Sequence, residues 1–345
     1  MKTLLTDFRS EFRDRILDLL WRQWSTFGVA GHGAQWHGSP IDPEALLLLT
    51  CSIGRYDARL FDGMVEWMGV NGQLINVQRL KRIIATEQYA GEQVLRAVAA
   101  TVSDSVSASK WATTVISKDD ACQPVPLFFL KDGTPMPIVR QPDKLFEGYG
   151  LQRDPYEARG VAQVFRAELV SNLILRLRAF LGVNARCEII AYLLLNEHGS
   201  PSSLARNAYY LPLTISKAMT EMRGSGFLVS RVNGRRRDHR LTPGIWRELF
   251  LGEERPHSLV WPRLFRAIET LWEFLGDSNL TDKEPLAQAS ALRRVLNKSV
   301  VDRVETSGLD FAFGNLATHP GEALIAFAVE RIATLLTIME SPNDR

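Results

Sequence analysis

Apolar residues recur at intervals of three and four positions along most of this sequence. In residues 4–24 the stripe runs through Phe8, Phe12 and Ile16, with arginine and aspartate on the opposite side. Such a stripe predicts an amphipathic helix that packs one face on a core, so the predicted fold class is mainly α. The same pattern predicts further helices over residues 43–51, 56–68, 77–84, 92–102, 162–180, 243–250, 261–275, 285–296 and 320–339.

The helical pattern stops between residues 103 and 158. Serine and threonine cluster first, and prolines, which block regular helix, follow at positions 124, 126, 135, 137 and 142. Residues 131–134 lie between two short apolar runs and predict a hairpin turn, with the prolines confining that ribbon to a sheet edge. We interpret residues 103–158 as a proline-rich connector that follows an N-terminal helical domain, residues 1–102.

Residues 184–242 contain three short helical patterns and then a hairpin. His198 and Gly199 close the first helix, since glycine suits the turn past a helix end. Ser200 is a suitable N-cap for the second helix, and Pro201 fits its first position, where no amide hydrogen bond is lost. The third helix is predicted to begin at Thr214, after a turn.

The third helix separates apolar from polar side chains. Its buried face is predicted from an apolar stripe, Ile215, Ala218, Met219 and Met222. Its other face carries hydroxyl groups and a lysine, Thr214, Ser216, Lys217 and Thr220. Side chains of these types near a helix start suit contacts with base edges and phosphates. Two strands follow, with three arginines at positions 235–237 predicted at the tip of the hairpin.

The basic charge of the chain is concentrated in the same stretch. The whole sequence has a net charge of only +2. Residues 201–241 contain eight basic and two acidic residues, so the remainder of the chain is net acidic. An arginine run alone usually marks only a solvated turn. Many DNA-binding proteins contain two helices, the second with a polar outer face, followed by a basic hairpin, and this stretch has the same succession of elements.

Residues 185–242 resemble the winged helix-turn-helix domain of bacterial transcription regulators of the MarR and ArsR kind. The resemblance implies that residues 214–223 form the recognition helix and residues 231–240 the wing. We assign residues 159–251 to this domain, flanked by helical N- and C-terminal parts. The residues expected to contact DNA are Thr214, Ser216, Lys217, Thr220, Arg223, Arg231, Arg235, Arg236, Arg237 and Arg240. The identity of a small-molecule effector is left open.

The C-terminal region, residues 252–345, is predicted to hold helices that are more apolar than a single layer can hide. Their apolar faces must pack either on the N-terminal helices or on a second copy of the chain. We favour the second alternative and predict a homodimer, because helix-turn-helix proteins usually read two half-sites.

Motifs of enzymes and metal sites are missing from the sequence. We find no phosphate-binding glycine loop, no nucleophile elbow and no zinc-protease motif, so we expect no catalytic residue and no cofactor. His32 and His37 have no matching ligands, which favours a solvated loop over a metal site. Residues 43–86 could form a second helix-turn-helix fold, but we favour a helical packing unit. If residues 43–86 did form a second helix-turn-helix fold, its phosphate-facing surface would consist of Gln78, Arg79, Lys81 and Arg82.

Cysteines and hydropathy indicate the compartment. The three cysteines are scattered, which argues against a disulfide framework, and no apolar run reaches the roughly 18 residues of a membrane span. Acidic residues interrupt the N-terminal apolar run and argue against a secretion signal. We expect a cytoplasmic protein that binds double-stranded DNA sequence-specifically as a transcription regulator, most simply a repressor. The alternative is an interaction module, or a subunit of a nucleic-acid-processing or defence complex.

Overall fold

Helices form most of the chain, which confirms the predicted mainly α fold class. A computed structural model describes residues 4–106, 110–111, 123–233, 236–280 and 283–340. Its helices are α1 (Leu4–Thr26), α2 (Pro43–Ser52), α3 (Ala58–Asn71), α4 (Val77–Glu87), α5 (Glu92–Val106), α6 (Lys144–Glu147), α7 (Leu173–Leu181), α8 (Ala185–Asn196), α9 (Pro201–Ala208), α10 (Pro212–Gly224), α11 (Ile245–Phe250), α12 (Trp261–Leu275), α13 (Pro285–Val295), α14 (Val301–Glu305) and α15 (Ala323–Glu340). The strands are β1 (Val125–Pro126), β2 (Leu151–Gln152), β3 (Leu228–Asn233) and β4 (Arg236–Leu241).

Helix α2 lies at the centre of the larger of two hydrophobic cores. The four leucines at residues 46–49 are each 0% exposed, so neighbouring helices cover α2 on all sides. A helix that is apolar all round is stable only when it is buried in this way. Asp42 caps its start by accepting a hydrogen bond from the backbone amide of Ala45 at 3.0 Å. Helices α1, α3, α4, α5 and α12 pack around it.

The C-terminal helices pack on the N-terminal helices and share this core. Helix α15 lies against α1, where Nε of Arg15 donates to Oε1 of Glu340 at 2.8 Å. Helix α12 packs on α2, and the Tyr89 hydroxyl donates to the carbonyl of Pro262 at 2.7 Å. The structure thus takes the first of the two predicted alternatives for these apolar faces. Leu286 of α13 remains 62% exposed, and the homodimer stays a prediction.

The smaller core lies among α7–α11 and the β3–β4 hairpin, and we call residues 173–251 the hairpin unit. Helix α7 belongs to both cores, because Leu175 lies in the larger one while Leu173 and Leu177 lie in the smaller one. The hairpin unit is therefore joined to the remaining helices by shared packing as well as by the chain.

Buried ion pairs also join the hairpin unit to α2 and α4. Arg178 of α7 is within 2.6 Å of Glu44 and 2.7 Å of Glu188, and all three side chains are buried. Arg79 of α4 pairs with Asp42 and Glu44 and donates from Nε to the carbonyl at the end of α9 at 2.9 Å. Since Arg79 is only 5% exposed, it is not available to a phosphate.

The predicted helix over residues 162–180 is wrong in its first half, because α7 begins only at Leu173. Ala162 pairs with Val29 in an antiparallel bridge, and its amide donates to Glu66 Oε1 at 2.9 Å. These contacts occupy backbone groups that a helix would need for its own ladder. Tertiary contacts therefore override the helical pattern here.

The turn predicted inside the connector is confirmed. The amide of Leu130 donates to the carbonyl of Thr134 at 2.8 Å, and Phe129 pairs with Pro135 across the turn. Gly133 supplies the positive φ of 88° that this turn requires. Strands β1 and β2 pair in parallel nearby. Among the described helices, none has the length and apolar content needed to cross a membrane.

Candidate nucleic-acid interface

Local capping places the second and third helices of the hairpin unit. Ser200 and Ser203 form a reciprocal capping box at the start of α9, and Pro201 takes the first helical position, as predicted. Helix α10 begins at Pro212, two residues before the predicted start at Thr214. Proline favours this early start because its φ is already helical and the first turn needs no amide donor.

Helix α10 turns the predicted polar face to solvent. Ile215 and Met219 are buried in the smaller core, as the apolar stripe predicts. On the other face Thr214, Lys217 and Thr220 are exposed, and Ser216 is half-buried. The Thr220 hydroxyl donates to the backbone carbonyl of Ser216 at 2.9 Å, so it is left with its acceptor capacity for a ligand.

The acidic side chain on α10 is matched by a basic residue from α8. Nη2 of Arg186 lies 2.5 Å from Oε2 of Glu221, and both side chains are exposed. An exposed pair of this kind contributes little to stability, but it offsets the one negative charge on the outer part of α10. Sequence reasoning missed Arg186, which becomes a neighbour of Glu221 only when α8 packs on α10.

Two leucines stand exposed at the start of α10. Leu211 is 54% exposed and Leu213 is 80% exposed. Leu213 directly precedes Thr214, and Lys217 follows about one helical turn later. Sequence reasoning placed them only in a turn and assigned them no role. An apolar side chain in this position can contact the methyl group of thymine, or an apolar protein partner.

The register of the β3–β4 hairpin divides its arginines between two faces. Arg231 is directly opposite Asp238, and Val229 is opposite Arg240. Because side chains alternate along a strand, Arg231 and Arg240 share one face, whereas Arg237 lies on the other. The predicted row of arginines is thus split by the pleat.

Two of the predicted wing residues are described only in part or not at all. Arg235 lies outside the described residues. Arg236 begins β4, and its backbone pairs with Asn233. The remaining predicted basic residues of the unit, Lys217, Arg223, Arg231, Arg237 and Arg240, are exposed. None of these five forms an ion pair with a carboxylate among the described residues.

A third backbone segment pairs with the hairpin and holds it against the helices. Gly199 and His239 exchange both amide-to-carbonyl hydrogen bonds, each 2.9 Å long. A Cβ at Gly199 would lie 2.6 Å from Cε1 of Tyr192, so only glycine fits between this ring and the strand. The bridge anchors the hairpin to the turn between α8 and α9, and sequence reasoning did not find it.

His239 lies at this junction and is mostly buried. Its Nδ1 is 3.1 Å from the Ser230 hydroxyl on the neighbouring strand. Burial lowers the pKa of His239, and the charges of Arg223 and Arg237 lower it further. The imidazole is therefore mainly neutral at neutral pH. Its role is to pack and to hydrogen-bond rather than to supply charge.

A groove of about 600 Å³ runs along the outer side of the hairpin. Its walls carry two arginines and two histidines, Arg231, Arg240, His198 and His239, with Asp238 as the acidic member. A groove with this excess of donors fits an oxyanion such as a phosphate group.

Within the described ranges, other side chains with metal-binding or nucleophilic character are not gathered into one site. Among the described residues, no group of three or more His, Cys, Asp or Glu could hold a metal ion. Cys51 and Cys187 are buried, and burial raises the pKa of both thiols, to about 11 for Cys187. His32 lies 3.2 Å from Asp18 and stacks on Trp21.

Comparison of the chain with models of protein families, with curated protein sequences and with solved structures found no match.

Proposed function

We propose that the hairpin unit is a winged helix-turn-helix domain that binds double-stranded DNA sequence-specifically, and that the chain acts as a cytoplasmic transcription repressor. In this proposal α10 enters the major groove and the β3–β4 hairpin follows the adjacent backbone. The observation that carries the proposal is the set of five exposed basic side chains on α10 and the hairpin, none of which has a carboxylate partner among the described residues.

Paired arginines outside the hairpin unit provide a comparison. Arg15, Arg79 and Arg153 are each held by a carboxylate. Within the part of the chain that the structure describes, Arg223, Arg231, Arg237 and Arg240 are exposed and form no ion pair with a carboxylate, whereas Arg186 pairs with Glu221. Phosphates supply the missing negative charge, and each contact releases a bound counterion from the DNA.

The dimensions of α10 fit the proposed role. At 13 residues, the helix is about 20 Å long, which suits a major groove about 12 Å wide. Thr214 and Lys217 lie in its first turns and would meet base edges, while Arg231 and Arg240 would meet phosphates. The reciprocal bridge between Gly199 and His239 would fix the angle between the two contact regions.

A second function is favoured by one specific observation. Leu211, Leu213 and Phe227 are 54%, 80% and 48% exposed, and all three belong to the hairpin unit. Exposed apolar side chains of this size are typical of protein contacts. The alternative is therefore an interaction module, in which the same helix binds a protein partner, for instance within a nucleic-acid-processing or defence complex.

Selection from random duplexes distinguishes the two functions. The purified chain is incubated with a library of random duplex DNA, and the bound fraction is sequenced over several rounds. We expect an enriched motif that binds about a thousandfold or more tighter than a scrambled duplex at physiological salt. Enrichment of no motif, with equal affinity for all duplexes, would reject sequence-specific recognition and favour the interaction module.

We also propose that the chain binds its DNA as a homodimer, with half-sites about one helical turn, or roughly 34 Å, apart. A two-fold symmetric motif from the selection, together with two chains per duplex by light scattering, is the expected result. An asymmetric motif bound by one chain would contradict the homodimer and leave DNA binding intact.

A further inference from the structure

A cleft distinct from the hairpin unit opens between α1, the end of α2, the start of α5 and α12. Its volume is about 360 Å³, within the range of about 300 to 1,000 Å³ typical of small-molecule sites. The side chains that give the cleft its chemistry are Arg9, Arg55, Tyr56, Phe129 and Trp272.

Three aromatic rings form adjoining walls of this cleft. The ring centres of Tyr56 and Phe129 are 5.4 Å apart at an interplanar angle of 27°. The Trp272 ring stands across Tyr56 at 5.0 Å and 86°. A planar group can contact these rings at low cost in side-chain entropy, because the rings already hold one another in place.

Two guanidinium groups lie over the same rings. Cζ of Arg9 is 5.0 Å from the centre of the Trp272 ring, and Cζ of Arg55 is 5.0 Å from that of Phe129. Nε and Nη2 of Arg55 donate to the carbonyls of residues 127 and 126 at 2.8 and 2.7 Å. Its Nη1 takes no part in these bonds, which leaves donors for a further acceptor.

The cations of the cleft are not neutralised by the described part of the chain. Neither Arg9 nor Arg55 forms an ion pair there, and burial lowers the pKa of Arg55. The carboxylate in the cleft wall, Glu273, is already held by Arg266 at 3.0 Å. A partly buried guanidinium without a counter-ion carries a desolvation cost, and an anion from outside the chain would reduce that cost.

We propose that this cleft binds a small, flat organic anion, with its acidic group between Arg9 and Arg55 and its ring system against Tyr56, Phe129 and Trp272. Guanidinium groups bind carboxylates through paired, charge-assisted hydrogen bonds, which sets the orientation of the ligand. The site lies in the larger core and uses no residue of the proposed DNA interface.

Calorimetric titration of the full chain tests the proposal without any DNA, so its outcome is independent of the proposed function. The probes are naphthoate, which has a ring and a charge, naphthalene methanol, which has the ring only, and acetate, which has the charge only. We expect naphthoate to bind one site per chain. Naphthalene methanol and acetate should each bind with an affinity at least about tenfold lower.

Variants assign the binding to the cleft. Arg9→Gln removes one cation and should weaken naphthoate about tenfold, while Arg9→Lys keeps the charge and should retain more of the affinity. Arg9 is chosen because Arg55 also holds backbone carbonyls, and its loss would disturb the fold. The matched control is Arg294→Gln, which removes an exposed arginine of α13 outside the cleft and should leave binding unchanged.

Three outcomes would overturn the inference. Equal affinity for naphthoate and naphthalene methanol would mean that the guanidinium groups do not recognise a charge. Unchanged naphthoate binding by Arg9→Gln would place the bound anion elsewhere. Absence of naphthoate binding to the wild-type chain would mean that the cleft takes no flat anion of this size.

Discussion

Arg178 and Glu44 form a buried, two-pronged ion pair that joins the hairpin unit to the larger core. Nη1 of Arg178 lies 2.6 Å from Oε1 of Glu44, and Nη2 lies 2.9 Å from Oε2. Both side chains are 0% exposed. Because the two residues are separated by 134 positions, the pair forms only when the hairpin unit has docked on α2.

Removing one partner of this pair should destabilise the whole chain. Arg178→Ala leaves the Glu44 carboxylate buried with Arg79 and the backbone amide of Asn76 as partners, and it removes the ion-pair partner of Glu188. We expect a loss of about 3 to 5 kcal/mol in the free energy of unfolding. The control, Arg186→Ala, removes an exposed pair and should cost less than about 1 kcal/mol. Urea unfolding followed by circular dichroism measures both. Similar losses for the two variants would show that burial does not decide the cost.

Glu269 should make stability depend on pH. Burial raises the pKa of Glu269 from the ordinary glutamate value of 4.5 to about 7, although the charge of Arg266 opposes this rise. Between these two values the folded chain binds more protons than the unfolded chain, so the free energy of unfolding should fall by about 3 kcal/mol as pH rises through this window. The stabilising contribution of protonated Glu269 is fully present below pH 4.5 and is lost once the pH has risen above about 7.

Glu269→Gln should remove this slope, because glutamine does not titrate. Unfolding is measured in urea at several pH values across the window. The matched control is Glu273→Gln, which also removes a partner of Arg266 but leaves the buried carboxyl in place. If the wild-type chain and Glu269→Gln lose stability equally between the two pKa values, another group carries the dependence.

The hairpin arginines should contribute non-specific affinity for DNA. Replacing Arg231 and Arg240, which share one face, with alanine should weaken selected and random duplexes alike, because phosphates carry no sequence information. Each lost contact should also reduce the slope of log affinity against log salt by about 0.9. Fluorescence anisotropy at several salt concentrations measures the slope. Arg294→Ala combined with Lys298→Ala, which also removes two exposed charges, is the charge-matched control. A slope like that of the control would exclude the phosphate contact.

The start of α10 should determine which sequence is preferred. Substituting Lys217 or Thr214 with alanine should reduce discrimination between the selected duplex and single-base variants by roughly 1 to 3 kcal/mol at the contacted position. Lys298→Ala, an exposed lysine outside the hairpin unit, is the control. Competition binding with a set of single-base variants measures the effect. Loss of affinity that is uniform over all variants would assign Lys217 to a phosphate instead.

Local signals in the sequence determined many helices and their ends. The apolar stripe of α12 predicted residues 261–275, which are the bounds in the structure. Ser200 and Pro201 predicted the start of α9, since capping depends on neighbouring residues alone. The exposed face of α10 also followed from periodicity, because burial of Ile215 and Met219 leaves the intervening residues outside.

Contacts between distant residues decided the rest. The helical pattern over residues 162–172 did not form a helix along its length, because the backbone of Ala162 pairs with Val29 and Glu66. The face on which each hairpin arginine lies depends on strand register, which periodicity of the sequence does not specify.

The same distinction holds for the two sites. The basic residues of the hairpin unit are neighbours in sequence, so composition alone indicated them. The cleft instead unites Arg9, Arg55, Phe129 and Trp272, which are far apart along the chain. Such a site leaves no local pattern, because its chemistry exists only after α1, α2 and α12 have packed together. The sequence by itself thus determined helices, caps and the basic hairpin, whereas tertiary packing alone decided which cations are paired and which remain free.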